Sequence, residues 1–221
     1  MASALHYLHS LRIIHRDVKP ENLLVYRYSD GTKRLKLCDF GLATIKRANE
    51  KLDFVCGTAT YVSPEMIRAT GKIYKKKSKK YFLINLLGYD EGIDVWAMGI
   101  IAYILLCGFP PFRSESGEQN ELFEDILEGQ LEFPSPYWDD VGPDAEDLII
   151  KVLNRDEESR VTAGDVLHHQ WLNNPNNNFH QELTPKWVDN RNSNGPLEQR
   201  IIPAQSMPSL YEGSNDNEIM L

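Results

Sequence analysis

Apolar positions recur at helical spacing in five stretches of the chain. Leu5, Leu8 and Leu11 predict a helix over residues 1–10, and further helices are expected near 92–107, 118–128, 143–153 and 162–170. The run from Trp96 to Phe109 stays apolar for 14 residues with two glycines in it, too short to cross a bilayer and suited to a helix buried on all sides. Thr162-Ala163-Gly164-Asp165 has the form of a capping box for the last helix. Alternation replaces helical spacing only once. Leu23-Leu24-Val25 and Leu35-Lys36-Leu37-Cys38 flank the turn Ser29-Asp30-Gly31 and predict a hairpin over 23–38. After Leu172 the run Asn173-Asn174-Pro175-Asn176-Asn177-Asn178 breaks any helix, and residues 179–221 keep no period. The expected organisation is therefore a domain over 1–172, α+β and mainly α, followed by a disordered tail over 173–221.

Composition narrows the class. With 42% hydrophobic and 25% charged residues the 221-residue chain is ordinary for a globular protein. Three cysteines, Cys38, Cys56 and Cys107, without metal-ligand spacing point to a reducing, cytoplasmic compartment rather than a disulfide scaffold. A net charge of −8 argues against nucleic acid as a partner, and no segment suits a membrane. The charge is unevenly spread. Glu115 to Glu158 holds 15 acidic residues against Lys151 and Arg155, whereas Lys72 to Gly88 holds six lysines and no acid. An acidic surface concentrates basic ligands, although each acid taken singly is most simply part of a solvated face. Residues 1–16 carry two arginines, three histidines and no acid, but they lack the apolar core and cleavage pattern of a targeting signal. They are expected to be the last turns of a helix that starts upstream of Met1.

The candidate chemistry is dense. His15-Arg16-Asp17-Val18-Lys19-Pro20-Glu21-Asn22 precedes the hairpin, and Asp39-Phe40-Gly41 follows it, so the hairpin brings Asn22 and Asp39 to one end, close to Asp17. Magnesium takes oxygen ligands, one or two carboxylates plus substrate phosphates, and Asn22 and Asp39 are of the right types. Asp17 is left to accept a proton from an attacking hydroxyl, and Lys19 to neutralise charge on a transferring phosphoryl group.

This run resembles the catalytic and metal-binding loops of the eukaryotic protein kinases. Ser63-Pro64-Glu65 and Asp94-Val95-Trp96-Ala97-Met98-Gly99 follow in the matching order, and Lys19-Pro20-Glu21-Asn22 is similar to the serine/threonine class. The turn Ser29-Asp30-Gly31-Thr32-Lys33, the stretch Leu105 to Phe112 and the run Leu131 to Asp139 resemble the calmodulin-dependent kinase group, within it the doublecortin-like kinases. The resemblance implies a protein-kinase-like fold, here the C-terminal lobe alone, with the small N-terminal lobe absent. It implies transfer of the ATP γ-phosphoryl group to serine or threonine hydroxyls of protein substrates with basic flanks, using Mg2+. By the same resemblance Asp17 is the catalytic base, Lys19 the phosphate contact, and Asn22 with Asp39 the magnesium ligands. Leu24 lies under the adenine. Glu21 faces a basic substrate residue, and Thr58 bonds Asp17 and Lys19. His15, Arg16, Phe40 and Gly41 are structural, Glu65 pairs with Arg160, and Asp94 holds the backbone at His15 and Arg16. His15 is expected to be a packed core histidine. Cytoskeletal or microtubule association would come only through domains outside this chain.

Three departures qualify the resemblance. The sequence contains no glycine-rich phosphate loop and no lysine in a Val-Ala-Ile-Lys context, so this chain alone is not expected to turn over ATP. The insertion 72–88 interrupts the pattern, and deleting it joins Thr70-Gly71 to Tyr89-Asp90. It is either a retained intron, its ends encodable as splice sites, or a basic loop for phosphate-rich partners. Phe54 stands where many relatives have a phosphorylatable threonine that Arg16 would pair with. Either the loop is ordered without phosphate there, or Phe54 packs against the lobe. The competing function is a non-catalytic docking module that binds basic partners through its acidic groove, and a fragment that does not fold stably is a third possibility.

Overall fold

The computed structural model describes residues 1–47, 51–54, 56–69 and 88–173. The predicted tail, from residue 174 onward, and all of the insertion but its last residue lie outside the described residues.

The fold is organised by the most apolar segment. Helix α3, Gly92–Cys107, is buried along most of its length, with Trp96, Ile100, Ile101 and Tyr103 at 2% exposure or less. Gly99 lets α5, Pro143–Val152, approach closely, because a Cβ there would stand 2.7 Å from Val152 Cγ2 and 2.8 Å from Leu153 Cδ2. Gly108 ends α3 in the left-handed conformation (φ +96°), its N–H donating to Ile104 O at 2.7 Å. Trp96 stacks on Phe112 with ring centroids 5.7 Å apart, and Tyr103 packs on Trp138 at 4.8 Å. The first helix, α1 (Ala2–Ser10), buries Leu5 and Leu8 against α3 and α6 (Ala163–Leu167). Helix α4, Gln119–Glu128, adds Phe123 and Ile126 to the core.

Two small sheets complete the architecture. Strands β1 (Ile13–Ile14) and β4 (Thr44–Ile45) pair antiparallel, and β2 (Leu23–Arg27) pairs antiparallel with β3 (Lys33–Leu37) in the register Leu23↔Leu37. The second pair is the predicted hairpin. Its turn is set by Gly31 (φ +84°) and by the Asp30 carboxylate, which accepts from the Thr32 N–H at 2.9 Å. The predicted helices over 1–10, 92–107, 118–128 and 143–153 are present to within one residue at each end. The last one needs correction. The Thr162–Asp165 capping box is formed, but the helix ends at Leu167, and a separate turn, α7 (Gln170–Asn173), follows His168. Helix α2, Pro64–Ala69, and the two-residue β1–β4 pair were not predicted. Six residues are too few to display a period, and two-residue strands carry no alternation.

One buried ion pair ties three elements together. Arg160 Nη1 and Nη2 donate to Glu65 Oε1 and Oε2 of α2 at 2.5 and 2.9 Å, and Nη1 also reaches Gly92 O of α3 at 3.0 Å. Both side chains are 5% exposed or less, and the guanidinium lies over the Trp96 ring at 5.2 Å. Replacing Glu65 with Ala strands a buried cation, so urea unfolding of the variant should show a loss of about 3–5 kcal/mol. A loss near zero would show that the fold does not depend on the pair.

A second cluster titrates near neutrality. Lys51 Nζ donates to Asp90 Oδ2 at 2.8 Å and Glu157 Oε1 at 2.7 Å. Burial, then the neighbouring Asp90 carboxyl, pushes Glu157 up to about 7, whereas at Asp90 burial is opposed by the hydrogen bonds from Lys51, Glu157 and the Gly92 N–H and by the Lys51 charge, which together draw it down to about 2. Between the ordinary glutamate value of 4.5 and about 7 the folded state thus binds more protons at Glu157 than the unfolded chain does. The Glu157 contribution to stability therefore falls as pH rises through that window, while the Asp90 contribution is lost only as pH falls from the ordinary 3.8 toward about 2. Melting curves should show Glu157→Gln gaining on the wild type from pH 5 to 7; parallel curves would refute this assignment.

Candidate active site

The candidate catalytic loop begins with a strained turn that one carboxylate holds. Arg16 adopts φ +67°, an uncommon conformation for a side chain of its size. Asp94, 1% exposed at the start of α3, accepts the His15 N–H at Oδ2 and the Arg16 N–H at Oδ1, both at 2.9 Å. His9 Nε2 of α1 also lies 2.9 Å from Asp94 Oδ2. His15 is fully buried. Its Nε2 donates to Cys38 O at 3.0 Å, its Nδ1 accepts the Asp17 N–H at 3.4 Å, and its ring meets Phe40 edge-on at 5.0 Å. These contacts fit a histidine that orders the loop rather than one that carries protons.

Asp17, Lys19, Asn22 and Thr58 form one hydrogen-bonded set. Lys19 Nζ stands 3.1 Å from Asp17 Oδ2 and donates to Thr58 Oγ1 at 3.1 Å. The Thr58 hydroxyl donates to Asp17 Oδ1 at 3.3 Å. The Asn22 amide donates to Asp17 O at 2.8 Å and to Asp17 Oδ2 at 3.0 Å. With its donors spent on Asp17, Asn22 can offer a cation only its amide oxygen. Thr58 is brought across the chain by Gly57 (φ +105°), where a Cβ would stand 2.8 Å from Arg16 O.

Asp39 lies beside the set but is not bonded into it. The ladder ends at Leu23↔Leu37, and the Cys38 N–H donates to Asn22 O at 2.9 Å, which fixes the start of the Asp39-Phe40-Gly41 turn relative to Asn22. Asp39 is exposed, with φ +59°, and its Oδ1 accepts the Gly41 N–H at 3.1 Å. Among the described residues no group of three or more His, Cys, Asp or Glu could hold a metal ion by itself. An exposed carboxylate and an amide oxygen fit a magnesium ion that takes its remaining ligands from water and phosphate. Leu24 and Phe40 are 54% and 49% exposed and Glu21 is exposed, so all three present their side chains largely to solvent, Phe40 with one edge on His15.

Several contributors had no sequence signal of their own. The Leu42 carbonyl accepts from Arg16 Nε at 2.6 Å, Tyr89 reaches Arg16 across 73 residues of sequence, and His9 reaches Asp94 across 85. An acidic cavity of about 510 Å³ lies elsewhere, lined by Glu115, Glu121, Glu124, Asp125, Glu128 and Glu132 with Tyr103 and Arg113. Hydrogen bonds from the Ser116 and Ser114 hydroxyls hold Glu121 down at about 2, so its carboxylate stays charged. No described helix is long and apolar enough to cross a membrane.

Comparison with known proteins places the chain in a family. The chain is 50% identical over 210 residues to the mouse protein "Serine/threonine-protein kinase DCLK2", covering 94% of this chain and 25% of that protein. It is 51% identical over 173 residues to rat "Serine/threonine-protein kinase DCLK1", covering 78% and 36%, and 47% identical over 172 residues to "Serine/threonine-protein kinase GL21140" of Drosophila persimilis, covering 77% and 20%. The chain thus spans between a fifth and about a third of the length of these relatives. The protein kinase domain model matches residues 1–172, and the chain belongs to that family.

Proposed function

We propose that the described residues form the large lobe of a serine/threonine protein kinase, which transfers the ATP γ-phosphoryl group to a hydroxyl of a protein substrate. The observation that carries this reading is the bonded set Asp17, Lys19, Asn22 and Thr58. Asp17 accepts the proton of the substrate hydroxyl as its oxygen attacks the γ-phosphorus and the bond to the β-phosphate oxygen breaks. Asn22 and Thr58 orient the Asp17 carboxylate, and Lys19 stabilises negative charge on the transferring group. Asn22 and Asp39 are the residues that would hold Mg2+, which when bound neutralises phosphate charge. Leu24 supplies an apolar surface for the adenine. The exposed apolar side chains of Leu24, Val25, Leu35 and Phe40 support a lobe that is completed by further protein. Within this reading the domain spans 1–172, Glu21 and the acidic surface favour substrates with basic flanks, and the protein works in the cytoplasm.

The acidic cavity favours one rival, a docking module that binds basic partners without catalysis. Nucleotide separates the two. ATP with Mg2+ at about ten times its dissociation constant should raise the melting temperature by roughly 2–4 °C, and Asp39→Ala should abolish the shift. A docking module would show no shift. In the full gene product, Asp17→Asn should lower kcat by about 10²–10⁴-fold, with little change in the KM for ATP. Full activity in that variant would mean that another group takes the proton.

A further inference from the structure

One departure in the sequence has no part in the chemistry above. Phe54 lies on the segment that runs from the Asp39-Phe40-Gly41 turn to α2, and the described parts of this segment are tied to the residues just before α3. Tyr89, fully buried, makes three of these ties. Its carbonyl accepts the Leu52 N–H at 2.9 Å, its N–H donates to Leu52 O at 2.8 Å, and its hydroxyl donates to the Phe54 carbonyl. Lys51 reaches Asp90 and Glu157, and Lys46 reaches Glu91 at 2.7 Å. Both lysines of the segment's described part thus end on carboxylates outside it.

Arg16 ends differently. Its Nη1 donates to the Tyr89 hydroxyl at 3.4 Å and its Nε to Leu42 O at 2.6 Å, while its guanidinium carbon stands 5.8 Å from the centre of the Phe54 ring. The arginine next to Asp17 is therefore held by two neutral oxygens and an aromatic face, each of which suits a guanidinium. Phenylalanine has no hydroxyl to phosphorylate, and its ring occupies ground that a charged group would otherwise take.

We infer that Tyr89 and Phe54 are positioning residues that clamp Arg16, and through it Asp17, so that the segment is ordered without a phosphate on it. The inference rests on Asp17 being the proton acceptor proposed above. The Tyr89 hydroxyl is the shared point, since it joins the arginine of the catalytic loop to the backbone of the segment. Removing that one oxygen leaves the fold intact, but parts the two halves of the clamp and lets the segment, with its Leu52 bridge, open more often.

The test uses the full gene product, expressed without other kinases and treated with a broad-specificity phosphatase. In the wild type, phosphatase should leave kcat within about twofold, and the Leu52 amide should resist hydrogen exchange in the dephosphorylated protein. Tyr89→Phe and Phe54→Ala should each lower kcat by about five- to tenfold at unchanged KM for ATP, as the loss of one positioning contact predicts. In both variants Leu52 exchange should speed up while that of Ile100 in α3 stays the same. Phe54→Trp, which keeps an aromatic face over Arg16, should restore most of the rate. Activity that disappears with phosphatase, or variants that match the wild type in both rate and exchange, would overturn the clamp. A dephosphorylated protein with the expected protection but no phosphoryl transfer would support the clamp and overturn the proposed function. An active protein whose Leu52 exchanges freely would do the reverse.

Discussion

The site depends first on the Asp94 carboxylate. It is buried in the first turn of the most enclosed helix, and it spends its oxygens on the N–H groups of His15 and Arg16 and on the His9 ring. A hydrogen bond to a buried charge is worth about 1.5–3 kcal/mol, enough to offset the left-handed backbone at Arg16. That turn determines where Asp17 points. The helix is rigid because its apolar residues face the core on nearly every side, so the precision of a polar loop derives from an apolar rod. Gly57 completes the arrangement from the opposite side, because any Cβ there would strike the Arg16 carbonyl and push Thr58 out of reach of Asp17.

The charged contacts divide by burial, and their roles divide with them. Glu65 and Arg160 are closed off from water and bonded through the two terminal guanidinium nitrogens, so each is costly to leave alone and the geometry is fixed. The same guanidinium bonds Gly92 O and covers Trp96, which makes one side chain the meeting point of α2, α3 and the turn after Glu157. Lys46 and Lys51 are more exposed and contribute less energy. What they add is placement, since their partners all lie beside the start of α3.

How far the sequence discloses this structure varies with the range of the interaction. Helix α3 was legible because 14 apolar residues in a row have few other uses, and the hairpin because its turn residues and alternation are local. Asp17, Lys19 and Asn22 sit within six residues of one another, so their convergence needed only a loop. Thr58 and the Glu65–Arg160 pair came from the kinase resemblance, not from spacing. His9, Leu42 and Tyr89 stayed hidden. Two of them act across more than 70 residues, and the third contributes a backbone carbonyl, which no side-chain pattern encodes. The expected helix over 162–170 overruns α6 because nothing in His168-His169-Gln170 marks the break between α6 and α7.

The hairpin shows why the residues proposed to face the metal can be precise on an open surface. A two-stranded ribbon is marginally stable alone, and both strands of this one are largely exposed. Beyond its own ladder and turn, the outer part is braced by side-chain contacts such as Lys36 over Tyr26 at 4.7 Å and Arg34 over Tyr28 at 5.4 Å. Its root is held differently. The Cys38 N–H bonds Asn22 O, the Cys38 carbonyl accepts from His15, and His15 N–H is held by Asp94. Asn22 and Asp39 leave the hairpin at that root, so motion of the outer strands need not displace them. The exposed Leu24 on one face of the ribbon, and Val25 with Leu35 on the other, can therefore meet other protein without carrying the geometry of the proposed reacting end, which is fixed from below by α3.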